Sequence, residues 1–384
     1  MPKLRVAVLF GGRSGEHEIS LRSALAVMSA MDPARYEIVP IGIDRDGHWF
    51  LREDALSALA DAAGRLAELD AGGVLAALLP YPLAQGALCR AGAENGAHRL
   101  KLAAGEQVDV VFPILHGTYG EDGTVQGLLE LAGVPYVGSG VLGSALGMSK
   151  DAQKRLMREA GIPVTRFAVL TKVGFEENRA QALKLAGELA YPLYVKPSCL
   201  GSSIGVSRVC GPQELEPAIL DALRYDRKIL IEAACEGREL ECAVLGNRQP
   251  EVAGPGEIVV ERGHAFYSYE SKYVDPRGAK LMIPPPLPAA TAQRIRAMAQ
   301  AAFIALDLRG MARVDFLARE DLSEIVVNEV NTIPGFTEIS MYPKLWAAAG
   351  IPMSKLVDRL IELALEEHAE RRALSFTYRA KTPA

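Results

Sequence analysis

Pairing among the cysteines is what this chain most visibly lacks. Cys89, Cys199, Cys210, Cys235 and Cys242 include no Cys-x-x-Cys and no histidine at zinc-ligand spacing, so neither a zinc ribbon nor a disulfide-stapled scaffold is expected. Free thiols point to a reducing compartment. Also absent is any run near the ~20 apolar residues of a membrane span, and the opening Met1-Pro-Lys-Leu-Arg-Val-Ala-Val-Leu-Phe10 is too short an apolar stretch for an export signal. A cytoplasmic protein without a membrane partner is expected. Positive charge is not in excess: 42 lysines and arginines stand against 47 aspartates and glutamates, a net charge of −5. That balance argues against a nucleic-acid partner, although a local basic cleft for a nucleotide survives it. No repeat of solenoid period occurs, and no Gly-Lys-Ser/Thr opens a helix, which removes stacked-repeat and Walker-type readings.

What is present is an ordinary globular composition, 384 residues with 49% hydrophobic and 23% charged side chains, enough for two or three domains with filled cores. Residues 5–10, the turn Gly11-Gly-Arg-Ser-Gly15 and residues 20–28 read as strand, glycine turn and helix, the opening of an α/β unit. Residues 36–43 read as a second strand. Residues 55–105 are rich in Ala, Gly and Leu, weakly patterned, and read as short helices in a surface insertion. The apolar run 108–115 suits a parallel strand buried on both faces; it ends at His116-Gly-Thr-Tyr-Gly-Glu-Asp-Gly123, where active groups of open α/β sheets collect. A helix at 124–132 and a short strand at 134–137 close this unit, and a helix at 148–160 leads out of it. Beyond residue 165, strands at 166–170, 191–196, 205–209, 228–232, 239–244 and 250–260 interleave with helices at 212–223 and 288–306, the order of an α+β module.

The segment Arg313-Val-Asp315, followed by Ile325-Val-Val-Asn-Glu329-Val-Asn331, has the residue types of a magnesium and phosphate site. Asp315, Glu329 and Asn331 offer hard oxygen ligands, and Arg313 offers a planar cation for a phosphoryl group. Period-2 alternation puts Glu329 and Asn331 on one face and turns Val330 to the other. The plain alternative is a surface ion pair beside unrelated oxygens.

Lys196-Pro-Ser-Cys-Leu-Gly201-Ser202-Ser203-Ile-Gly205 offers a lysine and backbone N–H groups to phosphate oxygens, yet taken alone a hairpin turn between Val195 and Val206 explains it as well. Gly138-Ser-Gly140-Val-Leu-Gly143 matches the dinucleotide fingerprint in letters only. It does not open a domain, and a helix fills the interval where an acidic strand end is required, so a glycine-rich connection between domains is the better reading. Glu16 and Glu18 either meet a substrate ammonium or favour a helix N-terminus through its dipole. His116 is equally a catalytic hydrogen-bonding group or a satisfied turn histidine, and residues 118–121 read as a polar loop. Ser271-Lys272-Tyr273 reads either as a lid carrying a cation into a site or as a solvated strand edge.

Together these segments resemble the D-alanine–D-alanine ligases, members of the ATP-grasp carboxylate-amine ligases. The likeness covers nearly the whole chain, from Gly11-Gly-Arg-Ser-Gly-Glu16-His-Glu-Ile-Ser20 through the 116–123 and 196–207 segments and Tyr269-Glu-Ser-Lys-Tyr273 to Gly310-Met-Ala-Arg313-Val-Asp315. It ends in Asn328-Glu-Val-Asn-Thr-Ile-Pro-Gly-Phe-Thr-Glu-Ile-Ser-Met-Tyr-Pro343, its most specific piece. The resemblance implies an α/β and α+β chain with the ATP-grasp fold. An N-terminal doubly wound parallel-sheet domain (1–140, with an insertion at about 55–105) binds substrate, and two α+β domains (141–232 and 233–384) enclose ATP. It implies that ATP phosphorylates the carboxylate of one D-alanine and that the amine of a second attacks the acylphosphate, giving the dipeptide used in peptidoglycan.

By the same resemblance Lys150 and Lys196 hold the ATP phosphates under a loop formed by Ser202 and Ser203. Glu232 with the backbone of Ala233 and Cys235 takes the adenine, and Glu239 the ribose. Asp315, Glu329 and Asn331 hold two Mg²⁺ ions, or Mn²⁺ in their place, and Asn328 with Glu329 counts among the nucleotide-binding residues. Lys272 reaches the γ-phosphate, while Arg313 and the Gly335 N–H form the oxyanion site. Glu16 pairs with the first substrate's ammonium and His116 bonds its carboxylate; Ser340 and the Met341 backbone take the second carboxylate. Glu16, Ser202 and Tyr273 form a trio that fastens the lid, and a homodimer through the N-terminal domain is implied. The Ser271-Lys272-Tyr273 lid follows the dipeptide-forming type, and His264 is not assigned the role of the histidine in lids of D-lactate-using relatives. D-lactate or D-serine as acceptor, or a catalytically silent nucleotide-binding regulator, are the alternatives.

Overall fold

The computed structural model describes residues 2–52, 54–55, 58–59, 74–80, 87–94, 97–260 and 279–375, with backbone alone at 87, 90–94, 97–106, 260 and 279. Lys272 and Tyr273 lie outside the described residues. The first sheet is built from β1 (Leu4–Gly11), β2 (Tyr36–Ile43), β3 (Trp49–Leu51), β4 (Val74–Leu78), β5 (Ala87–Glu94), β6 (Ala97–Gln107) and β7 (Val110–Ile114), in the order β6-β5-β4-β3-β2-β1-β7. Alternate residues of β1 enter opposite cores, Val6, Val8 and Phe10 on one face and Ala7 and Leu9 on the other. Burial on both faces suits parallel neighbours, and β1 runs parallel to β2 and β7. The helix α1 (His17–Ala30) packs on the Phe10 face.

The expectation of short helices over 55–105 is only partly met. Residues 74–78, 87–94 and 97–107 instead extend the sheet as antiparallel strands. Alanine and glycine carry too little hydrophobic contrast for a period of two to register in the sequence. The strand expected at 134–137 reduces to one parallel bridge between Val111 and Tyr136. After α2 (Thr124–Ala132), the expected glycine connection runs straight into α3 (Val141–Met148) and then α4 (Lys150–Glu159). Gly147 serves packing: a Cβ there would lie 2.3 Å from Thr332 Cγ2.

The second sheet is antiparallel. It contains β8 (Phe167–Thr171), β9 (Leu193–Pro197), β10 (Ser207–Val209) and β11 (Lys228–Ala233) in the order β10-β9-β11-β8. Between these strands the chain forms α5 (Lys172–Glu177), α6 (Arg179–Gly187) and α7 (Pro212–Ala222); Ala186 and Ile219 bury Val195 and Ile231.

The third sheet is also antiparallel, with β12 (Arg238–Gly246), β13 (Glu251–Val260), β14 (Ala279–Met282), β15 (Gly310–Ala318) and β16 (Ile325–Asn331) in the order β14-β13-β12-β15-β16. Leu240, Val314 and Phe316 pack on α8 (Ala289–Ala305) through Ile295 and Phe303. The opposite face is divided. Its Ala243, Leu245 and Met311 end joins the first sheet's core together with α9 (Met341–Ala348) and α10 (Met353–Arg372), whereas its Glu241, Asp315 and Glu329 end is a polar strip. No described helix is long and apolar enough to cross a membrane.

Candidate active site

The polar strip follows from strand register. β15 and β16 pair so that Arg313 faces Asn331 and Asp315 faces Glu329, while Glu241 of β12 lies opposite Asp315. Directly opposed residues share a face, so all five side chains project together and Val330 turns into the core at 2% exposure. Three carboxylates at such spacing repel one another unless cations intervene. Arg313 forks onto Asp315 with two hydrogen bonds of 2.7 Å and stands 3.2 Å from Glu241 Oε2; Asn331 donates to Asp315 Oδ2 at 3.0 Å. Lys150 Nζ lies 3.0 Å from Glu329 Oε2 and donates to the Leu200 carbonyl at 2.7 Å. Burial by itself would lower the Lys150 pKa, but the Glu329 carboxylate outweighs it and the pKa is raised.

Lys150 and Lys196 reach the same cavity from different elements. Lys150 is the first residue of α4, whose cap Ser149 accepts the Ala152 N–H, and Lys196 comes from β9. Lys196 Nζ contacts Glu232 Oε2 at 3.0 Å and Asn328 Oδ1 at 3.2 Å. Lys154, one helical turn after Lys150 and fully buried, stands 3.4 Å from Glu232 Oε1 and donates to Thr165 Oγ1 at 3.0 Å. Burial works to raise the Glu232 carboxyl, yet the two ammonium groups hold its pKa below the ordinary value. Between the second and third sheets these groups enclose a cavity of about 250 Å³. Ser203, Ala233, Cys235 and Glu239 line it, as do Asp315 and Asn328, and Ile258 and Leu317 supply apolar surface suited to a planar ring.

The glycine and serine loop between β9 and β10 is a hairpin connection, with Val195 opposite Ser207, and it also borders the cavity. The two expectations for it are compatible. Ser202 and Ser203 have φ of 50° and 58°, and the Ser202 hydroxyl donates to Glu16 Oε1, tying this loop to the first sheet's turn.

The remaining expected residues gather where the first unit meets the loop after β16. His116 is buried; Nδ1 lies 2.9 Å from the Ile333 carbonyl and Nε2 3.1 Å from Ser23 Oγ. The carbonyl requires Nδ1 to carry the proton, which leaves Nε2 to accept from Ser23. Burial lowers the His116 pKa, the neighbouring Glu16 carboxylate opposing it, so the ring is neutral near pH 7. Gly335 lies against Ser340, whose hydroxyl accepts the Thr337 N–H at 3.1 Å, and Met341 is buried at the start of α9.

Sequence reasoning passed over four residues of this arrangement. Glu121, read as part of a polar loop, accepts N–H bonds from Gly117 at 2.7 Å and Ile333 at 2.9 Å, and its carboxyl is pushed up to about 8, chiefly by burial and then by Glu16. Glu241 sits two residues after Glu239 on one strand, and Lys154 four after Lys150 on one helix, so the periods of two and 3.6 carried signals for both. Gln153 bonds the backbone of Val330.

A family model described as D-ala D-ala ligase N-terminus matches residues 5–139, and one described as D-ala D-ala ligase C-terminus matches residues 156–362. The chain is 47% identical over 376 residues to the D-alanine--D-alanine ligase A of Chromobacterium violaceum, spanning 98% of this chain and 99% of that protein. Among solved structures, the D-alanine-D-alanine ligase from Coxiella burnetii shares a TM-score of 0.78 at 37% identity over 97% of both chains. The VanG D-Ala:D-Ser ligase from Enterococcus faecalis shares 0.79 at 36%, over 94% of this chain and 100% of that one. The two sheets closing on a lysine-lined cavity thus have the ATP-grasp architecture, and the chain belongs to the D-alanine–D-alanine ligase family of ATP-dependent carboxylate-amine ligases.

Proposed function

We propose that this protein joins two D-alanine molecules, ATP phosphorylating the carboxylate of the first and the amine of the second displacing that phosphate to form the peptidoglycan dipeptide. The observation that carries this reading is the convergence of Lys150, Lys196, Asp315, Asn328 and Glu329 on one cavity between two sheets. Lys150 and Lys196 hold phosphate oxygens as point charges, with the Ser202 and Ser203 loop above them. Glu232, which pairs with Lys154 and Lys196, takes the adenine together with the Ala233 and Cys235 backbone over the apolar floor, and the ribose meets Glu239.

The donor set fits Mg²⁺, or Mn²⁺ in its place. Asp315, Glu329 and Asn331 present oxygen-bearing side chains at adjacent register positions, their charge now balanced by Arg313 and Lys150. A bound dication neutralises charge that builds on the moving phosphoryl group. Arg313 and the Gly335 N–H stabilise the oxyanion of the tetrahedral intermediate. Glu16 receives the first D-alanine's ammonium, and Ser340 with the Met341 backbone receives the second carboxylate. His116 serves the first carboxylate, a contact that requires one ring nitrogen to exchange Ile333 or Ser23 for substrate. The roles that family likeness gives Lys272, toward the γ-phosphate, and Tyr273, with Glu16 and Ser202, fall outside the described residues. The working protein is a cytoplasmic homodimer with domain limits at 140 and 232.

Likeness to a D-Ala:D-Ser ligase makes D-serine the second acceptor to consider. Purified protein given ATP, Mg²⁺ and D-alanine should release phosphate and form D-Ala-D-Ala, and with D-serine or D-lactate competing at equal concentration the dipeptide should dominate. ATP binding with no phosphate release for any D-amino acid would establish a silent regulator instead.

A further inference from the structure

β16 is the outer strand of its sheet, with β15 on one side. Its other edge leaves backbone groups in want of partners. Val327 there donates its N–H to the Pro163 carbonyl at 2.9 Å, and Gln153, at 1% exposure, satisfies Val330. Its Oε1 accepts the Val330 N–H at 2.9 Å, and its Nε2 donates to the Val330 carbonyl at 3.0 Å and also to the Gly147 carbonyl. The side-chain amide behaves as one residue of an additional strand.

Val330 separates Glu329, which lines the cavity, from Asn331, which projects on the same face of the strand and donates to Asp315. Gln153 belongs to α4, the helix that begins with Lys150, and Lys150 in turn contacts Glu329. One helix therefore sets the phosphate lysine and grips the backbone between two oxygen donors. We propose that Gln153 is a positioning residue for the divalent cation, fixing the backbone from which Glu329 and Asn331 project and registering them against Lys150. The proposal rests on the metal-site reading given above.

Outer partners of metal ligands typically change affinity 10- to 100-fold when removed, on the order of magnitude expected here. Mn²⁺ binding to the full chain in the presence of ADP, followed by loss of the free-ion electron paramagnetic resonance signal, tests it with Gln153→Leu, Gln153→Glu and Glu329→Gln. Gln153→Leu removes every bond to Val330. Gln153→Glu keeps an acceptor for its N–H but turns an oxygen toward its carbonyl, and it decides the matter should the leucine variant fail to fold. Both variants should bind Mn²⁺ at least about tenfold more weakly while keeping the parent's metal-free ADP affinity. Parent-like Mn²⁺ affinity in a folded variant overturns the proposal, as does an equal loss of metal-free ADP binding, which signals general damage. A parent that binds no Mn²⁺, or a Glu329→Gln variant that binds it like the parent, overturns the metal site itself and the proposal with it.

Discussion

Lys154 has no solvent exposure and shares the Glu232 carboxylate with Lys196, two ammonium groups for one carboxylate in a dry place. Burial, resisted by Glu232 and aided by Lys196, lowers its pKa to about 8. Because the folded value lies below the unfolded one, the charged lysine costs stability in full below pH 8, and the cost is relieved as pH rises toward the unfolded value near 10.5. Lys154→Met leaves Glu232 a single cation and removes the titration. In thermal melts the parent should therefore gain on the variant between pH 7.5 and pH 10, and a constant gap across that range would show that Lys154 is not held down by burial. Strand alternation in the sequence set Glu329 and Asn331 on one face, and residue type drew Arg313 and Asp315 to them; the strand register brings the four together. For Lys154 the only signal was its place one turn from Lys150, and a lysine on a helix otherwise rich in charge reads as solvated until the tertiary fold turns it inward.

At the scale of the element, the loop from β9 to β10 is a hairpin connection that also borders the cavity. Its flanks pair as a hairpin, while its tip approaches Glu16 closely: a Cβ on Gly201 would stand 2.9 Å from Glu16 Oε2. That carboxylate is already engaged by Ser202 and is the partner proposed for the substrate ammonium. Gly201→Ala should push it aside at little cost to folding, because only a side-chain end must yield. The expected result is a loss in kcat/KM for D-alanine of roughly ten- to hundredfold, the worth of one charge-assisted hydrogen bond, with the melting temperature unchanged. A parent-like kcat/KM would detach Glu16 from substrate. Continuous apolar runs such as β1 and β7, and the mixed apolar and polar pattern of α2, were legible. The strands within 74–107 were not, because alanine and glycine fit helix, strand and turn alike.

For the whole molecule, periodicity tells which face of an element is buried but not against what. Nothing near Tyr36 announces that its hydroxyl donates to Asp358 at 2.9 Å, or that α10 returns to pack on the first sheet. The site depends on such returns. Lys196 and Glu232 belong to the second sheet and Asp315 and Glu329 to the third, each sheet with its own hydrophobic cluster, so the nucleotide proposed between them would tie two cores together. A ligand at a hundredfold over its Kd stabilises the folded state by about 2.7 kcal/mol, which for a chain of this length raises the melting temperature by about 3 °C. ADP alone should give part of that rise and Mg²⁺ with ADP the larger part, since in the proposed site the dication would relieve the crowding of Asp315 and Glu329 while holding phosphate. In Asp315→Asn the ADP increment should persist and the further Mg²⁺ increment should vanish, each measured against the variant's own ligand-free melt. If Mg²⁺ adds as much to the variant as to the parent, the ion is held elsewhere, and the polar strip of β15 and β16 is an ion-pair network that joins domains rather than a metal site.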